Sequence, residues 1–389
     1  MAEIPPNHET GLLSEADRKS SLGQLAALFL RLGLTAFGGP AAHIAMMEDE
    51  VVNRKRWLDR QRFLDLLGVA NLLPGPSSSE LAIYIGQSQA GWAGLLLGGA
   101  CFILPAALLT AMIAWAYTRF GSLPQATGIL YGIRPVVVAI IFQALWRLGQ
   151  TALKTKVLMI IAVGAAAASL AGLGPVWVLL CCGTVVLAKR SVQRLRSLPA
   201  VFGFVPTAAI ITHWSLGNLF LIFLKIGAVV FGSGYVLLAF LRADLVDRLH
   251  WLTEKQLLDA VAVGQITPGP VFSTATFIGY ILAGGRGAFL ATVAIFLPAF
   301  FLVAFTGPLL PRLRKSKSVS ALLDGVNAGS LGLMLAVVLF LAHAAIFDLA
   351  TALTAIGSAV LLLRFKVNAT WVILASAVFG IIYSGLHIR

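Results

Sequence analysis

"NLLPGPSSSE" (Asn71–Glu80) and "QITPGPVFST" (Gln265–Thr274) decide how this chain folds. Each places Pro-Gly-Pro inside a hydrophobic run that would otherwise read as one membrane helix. Two prolines around a glycine cannot continue a helix. Proline is well tolerated at the first position of a new one, where its missing N–H costs nothing. Each stretch therefore reads as two half-helices, 61–73 and 76–90 in the first case, 255–267 and 270–283 in the second. The new helix leaves backbone N–H groups without intrahelical acceptors, on Ser77, Ser78 and Ser79 after Pro76 and on Val271, Phe272 and Ser273 after Pro270. Such groups are costly in lipid, so both breaks must be buried in protein or line a cavity.

The rest of the chain fixes the class. Of its 389 residues 59% are hydrophobic and only 12% charged, against about 25% charged in a soluble domain. A spanning helix takes roughly 20 apolar residues, so this length holds about ten to twelve membrane segments on short loops. The chain reads as an all-α polytopic membrane protein. Its formal net charge of +13 is assigned to Lys and Arg of cytoplasmic loops. There is no zinc-finger spacing, RNP-like motif or basic–aromatic interleaving to point to nucleic acid. Cys101, Cys181 and Cys182 lie in apolar segments without metal-ligand spacing and read as free thiols. No metal and no cofactor is expected. The first 21 residues are polar and mixed in charge, unlike a secretory signal.

The doubled break belongs to a larger repeat. "FLRLGLTAFGG" (Phe29–Gly39) matches "FLKIGAVVFGS" (Phe223–Ser233) at a shift of 194. The match runs without a gap through Arg54/Arg248, Trp57/Trp251 and Asp65/Asp259 to Pro74-Gly75-Pro76/Pro268-Gly269-Pro270, with about a third of positions identical. After one deletion it resumes at Gly86/Gly279, Gly94/Gly287, Pro105/Pro298 and Gly132/Gly325. Four segments are expected: a polar 1–21, a first repeat 22–190, a basic linker 191–216 with a short apolar stretch, and a second repeat 217–389. Each repeat opens with a helix carrying glycines (22–45; 217–241), continues through the broken pair, and closes with four apolar segments (91–118, 126–150, 156–170, 174–189; 285–307, 320–345, 348–363, 368–386).

Loop charge alternates in opposite phase in the two repeats. Loops 53–62, 147–156 and 189–196 are basic in the first, and their counterparts in the second are neutral or acidic. Loops 119–124 and 171–174 carry at most Arg119, whereas their counterparts carry Arg312, Arg314, Lys315 and Lys317, or Arg364 and Lys366. By the positive-inside rule the repeats have opposite topology, the inverted-repeat architecture of secondary transporters. The same phase returns the chain at Gln87–Ala90 to the face it entered from, which makes each broken pair a re-entrant hairpin. The expected total is about ten spanning helices plus two re-entrant hairpins. A half-helix of about 12 residues reaches roughly 18 Å, near the middle of a ~30 Å core.

A helix start attracts anions through its free N–H groups and its dipole. The candidate substrate residues are therefore Pro74, Gly75, Pro76, Ser77, Ser78 and Ser79 with Pro268, Gly269, Pro270, Ser273 and Thr274. Alternatively, the breaks only bend the helices. Arg134 in "GIRP", matched by Asn327 in "GVNA", lies deep in a span, where a cation is expensive. It has two readings, an anion ligand or the partner of an intramembrane carboxylate. Arg31 and Lys225 match each other and read as anion helpers or as side chains snorkelling to an interface. Glu80, His43 and Glu48 are proton or coupling candidates, Glu48 reading better as a solvated loop end. Gly38, Gly39 and Gly232 read first as close-packing positions and second as a chain break. Asp65 and Asp259 read as structural residues near the interface, Trp57 and Trp251 as interfacial anchors.

With these residues on the page, the chain resembles the chromate ion transporter family in its long, two-domain form. The resemblance rests on "FGGPAAHIAMMEDE" with the following "RWL", on "NLLPGPSSSELAIYIG", and on "FGSG", "HWLTEKQLLDAVAVGQITPGP" and "GVNAG". It covers nearly the whole chain. The family has Gln where Asn71 stands, while Gln265 keeps the amide in the second repeat. The resemblance implies a non-enzymatic, multi-pass inner-membrane protein that exports chromate from the cytoplasm and confers chromate resistance, with sulfate as a close mimic. A homodimer stays open. The competing readings are a sulfate or small-carboxylate transporter or exchanger, a channel, and an intramembrane hydrolase using one of Ser77–Ser79 with His43. The last lacks GxSxG and HExxH.

Overall fold

Proline, glycine and capping side chains set where the helices start and stop, and the apolar runs fill the intervals. The structure, a computed structural model, describes residues 21–37, 39–121, 123–191, 214–231, 234–306 and 317–387. Among these residues there are fourteen α-helices. The first seven are α1 (Leu22–Thr35), α2 (Gly39–Glu48), α3 (Arg60–Ala70), α4 (Ser77–Phe120), α5 (Pro124–Ala152), α6 (Lys156–Leu170) and α7 (Pro175–Ser191). The others are α8 (Leu216–Val229), α9 (Leu237–Leu241), α10 (Glu254–Ile266), α11 (Thr274–Thr306), α12 (Lys317–Ala345), α13 (Leu349–Leu363) and α14 (Ala369–His387). Capping boxes at Ser21/Gln24, Thr253/Gln256 and Asp348/Thr351 start α1, α10 and α13. Asp59 caps α3 by accepting the Arg62 N–H at 2.7 Å.

The single first helix expected in each repeat is two helices. α1 ends at Thr35 and α2 begins at Gly39, whose φ of +78° excludes helical continuation. α8 likewise ends at Val229 before α9 starts at Leu237. The glycine motif thus breaks the chain at these points, against the first reading of Gly39 as a packing position. Gly38 and Gly232 themselves lie outside the described residues, as do the polar segment 1–20 and most of the linker. α2 and α9 run on into matching π turns, Asp49–Arg54 and Arg242–Arg248.

α4 and α11 each fold back on themselves. Ala90 and Gly91, and correspondingly Ala283 and Gly284, leave helical geometry, with Gly91 at φ +59° and Gly284 at φ +60°. Across these turns Gly86 faces Gly94, Ala82 faces Gly98, and Gly279 faces Gly287. Without side chains the two backbones touch. Thr276 Oγ1 and Thr292 Oγ1 lie 2.7 Å apart across the second turn. The first half of α4 runs beside the second half of α11, in the same direction. Gly75 lies against Ala299 and, further along, the Tyr84 hydroxyl is 2.6 Å from Thr306 Oγ1.

The remaining helices exchange partners between repeats. α13 and α14 pack on α5, while α6 and α7 pack on α12. Small residues allow the close crossings: Gly128 and Gly132 against Ser376, Gly380 and Ser384, and Gly325 and Gly329 against Cys182. Five helices are long and apolar enough to cross a membrane: Ser77–Phe120, Ala126–Ala152, Val271–Thr306, Ser318–Ala345 and Ala369–Leu386. Two of these five, Ser77–Phe120 and Val271–Thr306, contain the turns at Gly91 and Gly284. The apolar helices Leu22–Thr35, Lys156–Leu170, Pro175–Lys189, Leu216–Val229 and Leu349–Leu363 are shorter. At 14 or 15 residues they rise only about 21–23 Å, less than a ~30 Å hydrocarbon core.

Candidate functional site

The two Pro-Gly-Pro breaks are held by reciprocal contacts between the repeats. The Gly75 N–H donates to the Val230 carbonyl at the end of α8 (2.7 Å), and the Gly269 N–H donates to the Ala36 carbonyl at the end of α1 (2.9 Å). Each break of one repeat therefore closes on the first-helix break of the other. Both glycines need their positive φ, +139° at Gly75 and +90° at Gly269. Gly269 also packs against Ala106 and the Gly33 carbonyl, as Gly75 packs against Ala299. The first-helix breaks approach each other too, Gly39 lying beside the Tyr235 hydroxyl.

Side chains from both repeats fill this crossing. His43 is buried, with Nε2 3.0 Å from the Ala36 carbonyl and Nδ1 3.4 Å from Ser78 Oγ. Its ring stands edge-on to Phe102 at 5.6 Å. In the second repeat the Tyr235 hydroxyl donates to Gln265 Oε1 at 3.2 Å. Thr274 Oγ1 donates to the Val271 carbonyl at 2.8 Å, and Thr110 Oγ1 lies 3.5 Å from Thr267 Oγ1.

Not every N–H expected to be free is free. Ser79 N–H donates to the Pro76 carbonyl (2.8 Å) and Ser273 N–H to the Pro270 carbonyl (2.9 Å). These tight first-turn bonds satisfy the third donor of each helix start. Ser77, Ser78, Val271 and Phe272 have no backbone acceptor among the described residues. Seven buried side-chain polar atoms lack a hydrogen-bond partner among the described residues, and five of them sit at the breaks: Ser79 Oγ, both oxygens of Glu80, Gln265 Nε2 and Ser273 Oγ. Polar atoms buried in a protein are ordinarily bonded, so these five have capacity for further partners.

The sequence-assigned cations lie elsewhere. Arg134 is held by a carboxylate: Nε and Nη2 donate to Asp259 Oδ1 and Oδ2 at 2.8 and 2.9 Å. The Tyr117 hydroxyl adds a third bond to Asp259 at 2.9 Å. Asp259 is fully buried and holds the Arg134 guanidinium, a structural role. Asn327, matched to Arg134, is half-buried on α12. Arg31 and Lys225 are both paired with acids of the π turns. Arg31 bonds Glu50 at 2.6 Å, which also takes Arg54 at 3.2 Å; Lys225 bonds Asp244, which also takes Arg248 at 3.1 Å. An open pocket of about 440 Å³ beside Arg31, Asp49, Glu50 and Arg54 is balanced in charge. Glu48 makes a surface pair with Arg60 at 3.5 Å.

Sequence reasoning missed the carbonyls of Ala36 and Val230, because any residue offers a carbonyl. It also missed Tyr235 and Tyr117. The one available signal was the match of Asn71 with Gln265, an amide just before each break.

Fold and site together define a multi-pass helical membrane protein built from two matching units that cross at paired helix breaks. The family model described as Chromate transporter matches the chain twice, over residues 23–187 and 217–381. The chain belongs to the chromate transporter family. It is 36% identical to the chromate transport protein of Cupriavidus metallidurans over 94% of both chains. It is 34% identical to a probable chromate transport protein of Synechococcus elongatus, over 93% of this chain and 96% of that one. The chromate transport protein of Pseudomonas aeruginosa is 34% identical over 87% of this chain and 85% of its own. No solved structure matches.

Proposed function

We propose that this protein carries chromate across the inner membrane by secondary transport, outward from the cytoplasm, so that it confers chromate resistance. The anion is held where the two Pro-Gly-Pro breaks cross. The observation that carries this reading is the gathering of unpartnered buried polar atoms at that crossing, Gln265 Nε2, Ser79 Oγ and Ser273 Oγ among them. The unpaired N–H groups of Ser77, Ser78, Val271 and Phe272 add donors at two helix starts. Half-helix N-termini meeting at a repeat interface are a recurring way to hold an anionic substrate. The antiparallel course of matched segments supports the inverted reading. The second half of α4 runs against its own first half, which runs with the second half of α11.

In this reading Arg134 does not meet the substrate first; it fixes α10 through Asp259. Chromate and sulfate are both tetrahedral dianions, and backbone donors sense charge and oxygen geometry but not the central atom. Sulfate therefore competes. The test is chromate binding by the purified full chain. Replacing Pro76 and Pro270 together with Ala lets each helix run on and ties up the donors, and chromate and sulfate affinity should both fall at least tenfold. Unchanged affinity in a folded double variant would remove the anion site and leave the breaks as bends.

A further inference from the structure

We propose that Glu80 is a proton-binding site coupled to the anion site, so that one proton is taken up with each oxyanion held. This rests on the reading of the crossing as an anion site. Glu80 is fully buried, and neither carboxyl oxygen has a hydrogen-bond partner among the described residues. It stands one turn after Pro76 and folds back over the break, so that a Cβ built on Gly75 would lie 2.5 Å from Oε1. The carboxyl group thus shares the helix start assigned to the anion.

The titratable and charged groups on the packed elements are engaged or distant. On α2, His43 bonds Ala36 and Ser78. Arg31 of α1 is paired with Glu50. Asp65 of α3 bonds Gln61, and Asp259 of α10 is held by Arg134 and Tyr117. Tyr84, on the same helix, bonds Thr306. Cys101 in the second half of α4 is half-buried, as is Tyr280 on α11, and Arg286 lies exposed after the turn of α11. No cation among them neutralises Glu80.

Two negative groups sharing one buried site do not both stay ionised, and one takes up a proton. The dianion keeps the full double charge that the helix dipole favours when the proton goes to the carboxylate instead. The carboxylate therefore accepts a proton from hydronium: one O–H bond forms on Glu80 as one O–H bond of the hydronium breaks, leaving water. When the dianion leaves, the dipole and free N–H groups of the helix start face Glu80 alone and favour its ionised form, so that the proton is released. At the same distance from the second break stands Thr274, neutral and bonded to Val271. The asymmetry gives one proton per anion, not two. Chromate then moves with a net charge of one rather than two.

The experiment counts protons as anion is added to the full chain in weakly buffered detergent solution, for wild type and Glu80→Gln. Sulfate, which stays unprotonated through the neutral range, is run beside chromate to remove the anion's own titration. The expected result is uptake near one proton per anion in the wild type, with a tenfold change in apparent Kd per pH unit, and near zero with a flat pH profile in Glu80→Gln. Binding without proton uptake in the wild type overturns the inference and spares the anion site. Equal uptake in wild type and Glu80→Gln overturns it as well. Failure of the wild type to bind either anion removes the anion site and the inference with it. If Glu80→Gln does not fold, the wild-type count alone decides.

Discussion

The two broken hairpins share a sequence pattern but not a setting. In the second, every residue of α10 from Leu257 to Gly264 is buried, and Asp259 is clamped by Arg134 and Tyr117 from the first repeat. In the first, α3 leaves Arg60, Gln61, Arg62 and Leu64 exposed, and the matching Asp65, half-buried, accepts from Gln61 of its own helix. The chemistry is divided the other way. The first hairpin brings Ser78, Glu80 and, nearby, His43, where the second has Phe272, Thr274 and Leu237. In the reading proposed above, the second repeat supplies the half clamped by Arg134 and Tyr117, and the first the half that carries the titrating Glu80.

The largest test of this comparison is all-or-none. Arg56 and His250 are matched, both exposed, and both at φ +53° in the turn before the hairpin. Single cysteines at these positions, in a background without native cysteines, should react with an impermeant reagent from opposite faces of intact cells. Reaction from one face would break the inverted relation between the hairpins.

The next effect separates the two aspartates. Asp259→Ala leaves a mostly buried guanidinium unpaired and should lower stability by about 3–5 kcal/mol, whereas Asp65→Ala should stay within roughly 1 kcal/mol. Thermal and denaturant melts of the purified variants read the difference. Replacing the pair together, Arg134→Met with Asp259→Leu, should recover much of the loss, because two well-packed apolar side chains need no partner. Equal losses at Asp65 and Asp259 would remove the claim that the second hairpin is the fixed one.

The smallest effect concerns the break glycines. Ala at either position is strained by the positive φ, at a cost of roughly 1–3 kcal/mol. At Gly75 the new methyl meets the movable end of Glu80, whereas at Gly269 it meets Ala106 Cβ at 2.8 Å and the Gly33 carbonyl at 3.2 Å, neither of which can swing away. Gly269→Ala should therefore lower the melting temperature more than Gly75→Ala. The reverse order would mean that Glu80 is held in place more firmly than its missing hydrogen bonds imply.

Most helices, the doubling and the Pro-Gly-Pro breaks were legible in the sequence alone. Apolar runs, prolines and glycines act on residues within a few positions, so α6, read from sequence as 156–170, is Lys156–Leu170 in the structure. The half-helices around Pro74-Gly75-Pro76 lie within a few residues of expectation for the same reason. Only the tertiary structure decided what each break meets. Nothing near Gly75 in sequence marks Val230, 155 positions away, as its acceptor, nor Ala36 as the acceptor for Gly269. Arg134 had two partners open to it from sequence, an anion and a carboxylate, and the packing of α10 against α5 brings Asp259 to it. Arg31 and Lys225 were drawn to acids of π turns that no periodicity announces. A break is a local property of the backbone, but the charge it faces depends on which distant helix packs across it, and that follows only from closing the whole fold.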